Sequence, residues 1–138
     1  MPTYTVRYSN ITFEQKKKNK IAQGITVVHS KITGASPFFA QVFFEQNKNK
    51  SHYMGGKIIK EEQIFLNGQI RAGRSIAVKN KLIINLRETI IKNSGIKKEN
   101  VWVYLEELIP DQMIEYGEIL PQSGKEISWF NSLPENLK

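Results

Sequence analysis

Residues 63–70 read "QIFLNGQI", a run that predicts a strand leading into a helix. We place that helix at about residues 75–93, because Gly95 offers the left-handed residue with which many helices end. The segment "VWVYLEEL" at 101–108 predicts a returning strand. Two strands joined by a helix run parallel, with a right-handed connection. The second half of the chain is therefore interpreted as a β-α-β unit.

The first half of the chain predicts the same order of elements. "TYTVRYS" at 3–9 is rich in β-forming residues, and "FFAQVFFEQ" at 38–46 predicts a buried strand. Between them we expect a helix at about 13–32, with Thr12 as its N-cap and Gly34 closing it.

The two halves agree in register when one is shifted by 61 residues along the other. Gly34 then falls on Gly95, and residues 41–46 fall on 102–107. Identities are few, but the order and length of the elements match throughout. The sequence therefore predicts a duplicated β-α-β unit.

The predicted fold class is α/β (α+β), a single domain over residues 1–138 with a four-stranded sheet and both helices on one face. Its two units span about 2–46 and 63–108, and the tail from about 109 is expected to be irregular. The other face of the sheet is left uncovered, although its strands are apolar enough to need burial. We therefore expect an oligomer that packs sheet against sheet.

Composition excludes several kinds of site. The chain has no cysteine, which rules out disulfides, thiolate zinc sites and cysteine nucleophiles, and its only histidines, His29 and His52, disfavour a histidine-based metal site. No apolar run is long enough to span a membrane and no signal-peptide pattern is present at the start, so we expect a cytoplasmic protein without a membrane partner.

The formal net charge of +7 raises the question of nucleic-acid binding. Much of the charge lies in lysine-rich runs at 14–20 and 96–100, which have no interleaved aromatic residues for base stacking. We therefore expect no nucleic-acid partner. A positive balance equally favours a small anionic substrate.

Pro2 and His29 each admit a structural and a functional interpretation. A proline suits the edge of a first strand, but a small second residue also allows Met1 to be removed, which would expose a secondary amine able to carry a proton. His29 falls within the apolar stripe of the first predicted helix. Its structural interpretation is a buried histidine bonded to a backbone carbonyl, and its functional interpretation is a residue of the site. The sequence leaves both choices, and the removal of Met1, open.

The segment "RAGRS" at 71–75 is more informative, because it spans the junction from a strand into a helix. Arg71 lies on the strand side and Arg74 is expected in the first helical turn, where a cation opposes the helix dipole. Two guanidiniums beside unpaired helix N–H groups can bind a carboxylate or a phosphate. The alternative is a pair of surface arginines in a turn.

Together these features resemble the tautomerase superfamily and, within it, the cis-3-chloroacrylic acid dehalogenase group. The resemblance rests on the initial "MP", the two-unit chain, "RAGRS", "VWVY" and "QMIEYGEILPQSG", and it extends from Pro2 to about Phe130. Tyr104 and Glu115, which say little by themselves, lie within the last two segments. The positions that match the catalytic set of that group are Pro2, His29, Arg71, Arg74, Tyr104 and Glu115.

The resemblance implies a homotrimer and a reaction that requires no metal or organic cofactor. His29 and the two arginines would hold the carboxylate of a small unsaturated acid and make its β-carbon electrophilic. Glu115 and the Tyr104 hydroxyl would activate a water, and the Pro2 ammonium would protonate the α-carbon. With a halide on the β-carbon, the resulting halohydrin collapses to an aldehyde. Ala35 stands where the dehalogenase carries a threonine, so the substrate stays open.

Two other functions remain open. If Pro2 is neutral, it would act as the base of a keto–enol tautomerase for a 2-oxo acid such as phenylpyruvate. Neighbouring guanidiniums favour the neutral amine and the Glu115 carboxylate favours the cation, and the presence of Glu115 favours hydration. A non-catalytic module that binds an acidic partner through its basic surface is the third hypothesis.

Overall fold

The computed structural model describes residues 2–138. Its helices and strands alternate along most of the chain, with two short hairpins placed between or after the larger elements. In chain order the elements are β1 (Thr3–Ser9), α1 (Gln15–Thr33), β2 (Gln41–Asn47), β3 (Tyr53–Met54), β4 (Lys57–Ile58), β5 (Gln63–Arg71), α2 (Ile76–Ser94), β6 (Val101–Leu108), β7 (Ile114–Glu115), β8 (Glu118–Ile119) and α3 (Glu126–Ser132).

The main sheet has the strand order β2-β1-β5-β6. β1 is parallel to β2 and β5 is parallel to β6, whereas the central strands β1 and β5 are antiparallel. Helices α1 and α2 pack together on one face, where Tyr4 and Val6 of β1 meet Ile25 and Leu86 in a core shielded from solvent. The predicted fold, with two β-α-β units and both helices on one side, is confirmed.

The glycine stops of both helices are confirmed, because Gly34 and Gly95 adopt the left-handed conformation with φ of 75° and 76°. The predicted start of the first helix is wrong. Its N-cap is Glu14, which makes no side-chain cap, and the Thr12 hydroxyl instead accepts a hydrogen bond from Gln46 at 3.4 Å. A contact with β2, which the local sequence does not reveal, thus draws Thr12 away from the helix end.

Arg74 lies outside the second helix rather than in its first turn, which corrects the expected position. The N-cap is Ser75, whose hydroxyl accepts from the Val78 N–H at 3.2 Å. Arg74 therefore belongs to the connection between β5 and α2. The guanidinium is free to turn toward the end of β5 instead of lying along the helix axis.

The open face of the sheet carries partly exposed aromatic side chains. Phe43, Trp102 and Tyr104 are 50%, 42% and 53% exposed. The prediction of a buried strand at 38–46 is wrong in two respects: residues 37–39 form a short 3₁₀ turn, and β2 is shielded on its helix side only. An aromatic face of this kind favours the sheet-to-sheet contact between subunits.

The duplication extends beyond the predicted units, because the hairpins β3–β4 and β7–β8 also lie 61 residues apart. Both turn through two residues of positive φ, Gly55 (58°) and Gly56 (75°) in the first and Tyr116 (55°) and Gly117 (85°) in the second. This is the geometry of a type I′ turn, which suits the twist of two-residue hairpins. The tail is therefore not irregular as expected, since it holds this hairpin and α3.

Candidate active site

A cavity of about 510 Å³ opens where β1 begins and β5 ends. The side chains of Pro2, His29, Arg71 and Arg74 line it together. Other walls come from the connection after α1 and from the C-terminal segment that includes Glu126 and Phe130. Four of the six candidate residues thus face a single space, although they come from widely separated parts of the chain.

Pro2 is held one residue before β1, a central strand of the sheet. It is buried, and its carbonyl accepts the Gln41 N–H at 3.0 Å, which continues the pairing of β1 with β2. This backbone contact fixes Pro2 at the cavity wall.

His29 is 2% exposed and makes a hydrogen bond with the hydroxyl of Tyr4, with 2.7 Å between Nδ1 and the oxygen. Burial and the nearby charge of Arg74 lower the pKa of His29 to about 3, so the ring is neutral at physiological pH. Burial also raises the pKa of Tyr4, whose hydroxyl stays protonated. The partner of His29 is therefore a tyrosine hydroxyl and not the backbone carbonyl of its structural interpretation.

The Tyr4 hydroxyl fixes which nitrogen of His29 carries the proton. The hydroxyl has no other acceptor within residues 2–138, so it donates to Nδ1 and leaves the hydrogen on Nε2. That nitrogen is buried and has no hydrogen-bond partner in the described part of the chain. His29, a residue of the cavity lining, therefore keeps one buried N–H donor without a partner in residues 2–138.

Arg71 is 3% exposed and is largely occupied by the C-terminal segment. Its Nη1 donates to the carbonyl of Pro121 at 2.9 Å, and its Nη2 forms an ion pair with the carboxylate of Glu126. Burial raises the pKa of Glu126, but hydrogen bonds from its own N–H, from Arg71 and from the Gly124 N–H outweigh this and lower it. Glu126 is therefore a carboxylate inside the candidate site.

Arg74 keeps most of its donors available. Its Nη1 donates to the Arg71 carbonyl at 2.9 Å, and this is its one hydrogen bond to residues 2–138. Burial and the charge of Arg71 lower the pKa of Arg74, yet a guanidinium stays protonated in proteins. Together with His29 Nε2, the remaining N–H groups of Arg74 form a site suited to one carboxylate.

Tyr104 and Glu115 do not line this cavity. Tyr104 lies on the open face of the sheet, where its ring packs edge-to-face on Phe65 with the centroids 4.9 Å apart, and it borders a second cavity there. Glu115 is half-buried at the end of β7, where it pairs with Glu118 across the hairpin.

Sequence reasoning missed two residues of the site, Tyr4 and Glu126. The alternation of Tyr4, Val6 and Tyr8 along β1 could have placed Tyr4 on the helix side of the sheet. Glu126 gave no signal, because its partner Arg71 lies 55 residues earlier in the chain.

Neither a spanning helix nor a metal cluster is found in the part of the chain that the structure describes. No helix there is long and apolar enough to cross a bilayer. No group of three or more histidine, aspartate or glutamate side chains is placed to hold a metal ion among residues 2–138. The expected cytoplasmic location stays a prediction.

Comparison with known proteins identifies the family of the chain. The family model Tautomerase_3, "Putative oxalocrotonate tautomerase enzyme", matches residues 1–132. No curated protein matches the chain. The crystal structure of N1, "a member of cis-3-chloroacrylic acid dehalogenase (cis-CaaD) family", is 29% identical with a TM-score of 0.92, and the match covers 98% of this chain and 94% of that one.

More distant structures share the fold alone. A fused 4-OT wild type symmetric trimer is 15% identical with a TM-score of 0.77, over 86% of this chain and 94% of that one. MIF2 of Leishmania major is 12% identical with a TM-score of 0.66, over 78% of this chain and 89% of that one. The chain belongs to the tautomerase superfamily, an enzyme family, and to its cis-3-chloroacrylic acid dehalogenase-like group.

Proposed function

We propose that this protein is a cofactor-independent hydratase or hydrolytic dehalogenase of small unsaturated carboxylates, with Pro2 as its general acid once Met1 is removed. The observation that carries the proposal is the shared cavity, in which Pro2 lies with His29, Arg71 and Arg74. A proton carrier beside paired cationic donors suits a reaction on an organic anion.

In the proposed reaction, Arg74 and the His29 Nε2–H hold the carboxylate of a 2-enoic acid while Arg71 adds positive charge. This environment stabilises the negative charge that develops on the carboxylate side as a nucleophile attacks the β-carbon. Water forms the new bond at that carbon and loses a proton to Glu115, and the Pro2 ammonium gives a proton to the α-carbon. Where the β-carbon bears a halide, the halohydrin expels it as the hydroxyl proton leaves, and an aldehyde remains.

Tyr104 is proposed to act in the site of a neighbouring subunit. Its ring is half exposed on the open face of the sheet, away from the cavity of its own chain. The fold shared with a trimeric fused 4-OT supports a homotrimer in which this face is covered. Packing sheet against sheet would bring the Tyr104 hydroxyl of one copy toward another copy.

A keto–enol tautomerase is the second candidate, with Pro2 as a neutral base and an arginine holding a 2-oxo acid. The position of Glu115 favours it, because this carboxylate does not line the cavity of its own chain. Tautomerisation needs no activated water, so it does not require Glu115.

The decisive experiment combines intact-mass measurement of the purified protein with NMR assays on cis-3-chloroacrylate, propiolate and phenylpyruvate enol. We expect a mature chain that starts at Pro2, and a loss of about 10²- to 10⁴-fold in kcat/KM for Pro2→Ala, as is typical when a general acid is removed. Pro134→Ala, at an exposed position near the C-terminus, is the matched control.

Glu115→Gln separates the two candidates. A steep loss of hydration supports the hydratase, whereas tautomerisation that continues at the wild-type rate supports the second candidate. Full hydratase activity in a protein that retains Met1, or in Pro2→Ala, would contradict both.

A further inference from the structure

We infer that Glu126 sets the charge selectivity of the site: it occupies Arg71, so the cavity accepts an acid with one carboxylate and rejects one with two. The inference rests on the proposed function, since it concerns the substrate of the same cavity. It identifies a specificity-determining residue outside the six positions suggested by the sequence.

The first step is the state of Arg71. This guanidinium is almost fully buried, and its two terminal nitrogens are bound by the Pro121 carbonyl and the Glu126 carboxylate. Arginine binds carboxylates through these N–H groups. The carboxylate of Glu126 therefore takes the position that a substrate anion would need on Arg71.

The second step is the permanence of the ion pair. Glu126 starts α3, and hydrogen bonds from its own N–H and from the Gly124 N–H also stabilise its ionised form. The same segment is anchored by Trp129, whose indole N–H donates to the Ile119 carbonyl at 3.0 Å, and whose ring joins an apolar cluster with Phe39. These contacts hold the backbone at the start of α3, and with it Glu126, beside Arg71.

The third step is what remains for a ligand. Arg74 and the unpaired His29 Nε2–H can bind one carboxylate. A second carboxylate in the same cavity would lie near Glu126. The charge of Arg71 is already offset by Glu126, and its one unpaired nitrogen, Nε, is buried. Like charges placed against each other in a protein site are strongly disfavoured.

The test uses two saturated three-carbon acids that are not turned over, propionate with one carboxylate and malonate with two. Dissociation constants are measured by NMR titration for the wild type, for Glu126→Gln and for Glu88→Gln. Glu88 is the matched control, because it is also paired with an arginine, Arg87 at 2.7 Å, but lies on the surface of α2. The control makes the same change in net charge away from the cavity.

We expect the wild type to prefer propionate, and Glu126→Gln to bind malonate at least about tenfold more tightly while propionate changes much less. Glu88→Gln should behave as the wild type. Equal gains for both acids, or no gain for malonate, would overturn the inference. A wild-type protein that binds malonate more tightly than propionate would also overturn the inference. That measurement does not depend on the folding of any variant.

Glu126→Asp distinguishes the loss of the negative charge from a structural disturbance of the segment at the start of α3, because aspartate keeps the carboxylate. It should still reject malonate, and a gain equal to that of Glu126→Gln would overturn the inference. Since binding is measured without turnover, selectivity in a protein that hydrates no acid would refute the proposed function alone. A protein that hydrates propiolate but prefers malonate to propionate would refute this inference alone.

Discussion

The buried histidine of the cavity makes the stability of the protein depend on pH in a definite direction. Burial and the charge of Arg74 lower the pKa of His29 from 6.5 to about 3 in the folded chain. Because the unfolded chain binds a proton at the higher pKa, it binds more protons than the folded chain between these values. The contribution of His29 is therefore fully present above about pH 6.5 and is lost as the pH falls toward 3.

The size of this loss of stability follows from the difference between the unfolded and folded pKa values of His29. Within this window each pH unit removes about 1.4 kcal/mol from the free energy of unfolding. Between pH 7 and pH 5 the loss from His29 amounts to about 2 kcal/mol. It is smaller than two full units would give, because the unfolded imidazole binds few protons until the pH falls below its pKa of 6.5. Since His29 is 2% exposed, solvent screening does little to reduce this value.

Urea unfolding at pH 7, 6 and 5 measures the effect, with wild type and His29→Gln at one protein concentration. All carboxylates titrate in both proteins, so the difference between them isolates the imidazole. We expect the wild type to lose about 2 kcal/mol more than His29→Gln over this range. His52→Gln, at a half-buried histidine bonded to Ser9, is the matched control for removing an imidazole outside the cavity. Parallel curves for wild type and His29→Gln would refute the reasoning.

Two further predictions concern the neighbours of the site. Gly68→Ala would place a Cβ 2.5 Å from the Tyr4 ring, so we expect a loss of about 1–3 kcal/mol in thermal or urea unfolding. KM should also rise as Tyr4 is displaced from His29, and an unchanged melting temperature would contradict the packing argument. Co-expression of Pro2→Ala with Tyr104→Phe should restore up to about a quarter of the wild-type activity, because a random trimer forms some sites with both residues intact. Recovery no greater than the sum of the separate variants would place Tyr104 in the site of its own chain.

The sequence predicts the fold well where local signals determine it. Gly34 and Gly95 end both helices as expected, since their left-handed conformation is a property of the residue itself. The sequence predicts too early a start for α1, because Thr12, a good N-cap by type, accepts a hydrogen bond from Gln46 of β2. The sequence gives little sign of the second hairpin, because Tyr116, rather than a glycine or asparagine, takes the first turn position.

The candidate site is predictable in part for similar reasons. The antiparallel pairing of β1 with β5 brings Pro2 near Arg71, so residues distant in sequence meet at one end of the sheet. The ion pair of Arg71 with Glu126 depends on how the C-terminal segment folds back, and no periodicity in the sequence reports that. The outward direction of Tyr104, by contrast, follows from strand alternation with Val103 and Leu105.

The duplicated architecture places the candidate residues of the cavity at one end of the sheet only. At the opposite end of the sheet, the 61-residue shift replaces the four cavity residues by residues of other types. Gln63 corresponds to Pro2 and Ile90 to His29. Asn10 corresponds to Arg71 and Phe13 to Arg74. Ile90 is completely buried there, and the Phe13 ring packs at a tilt of 46° against Tyr8 with centroids 4.7 Å apart. A homotrimer would therefore titrate with three equivalents of an active-site inhibitor rather than six.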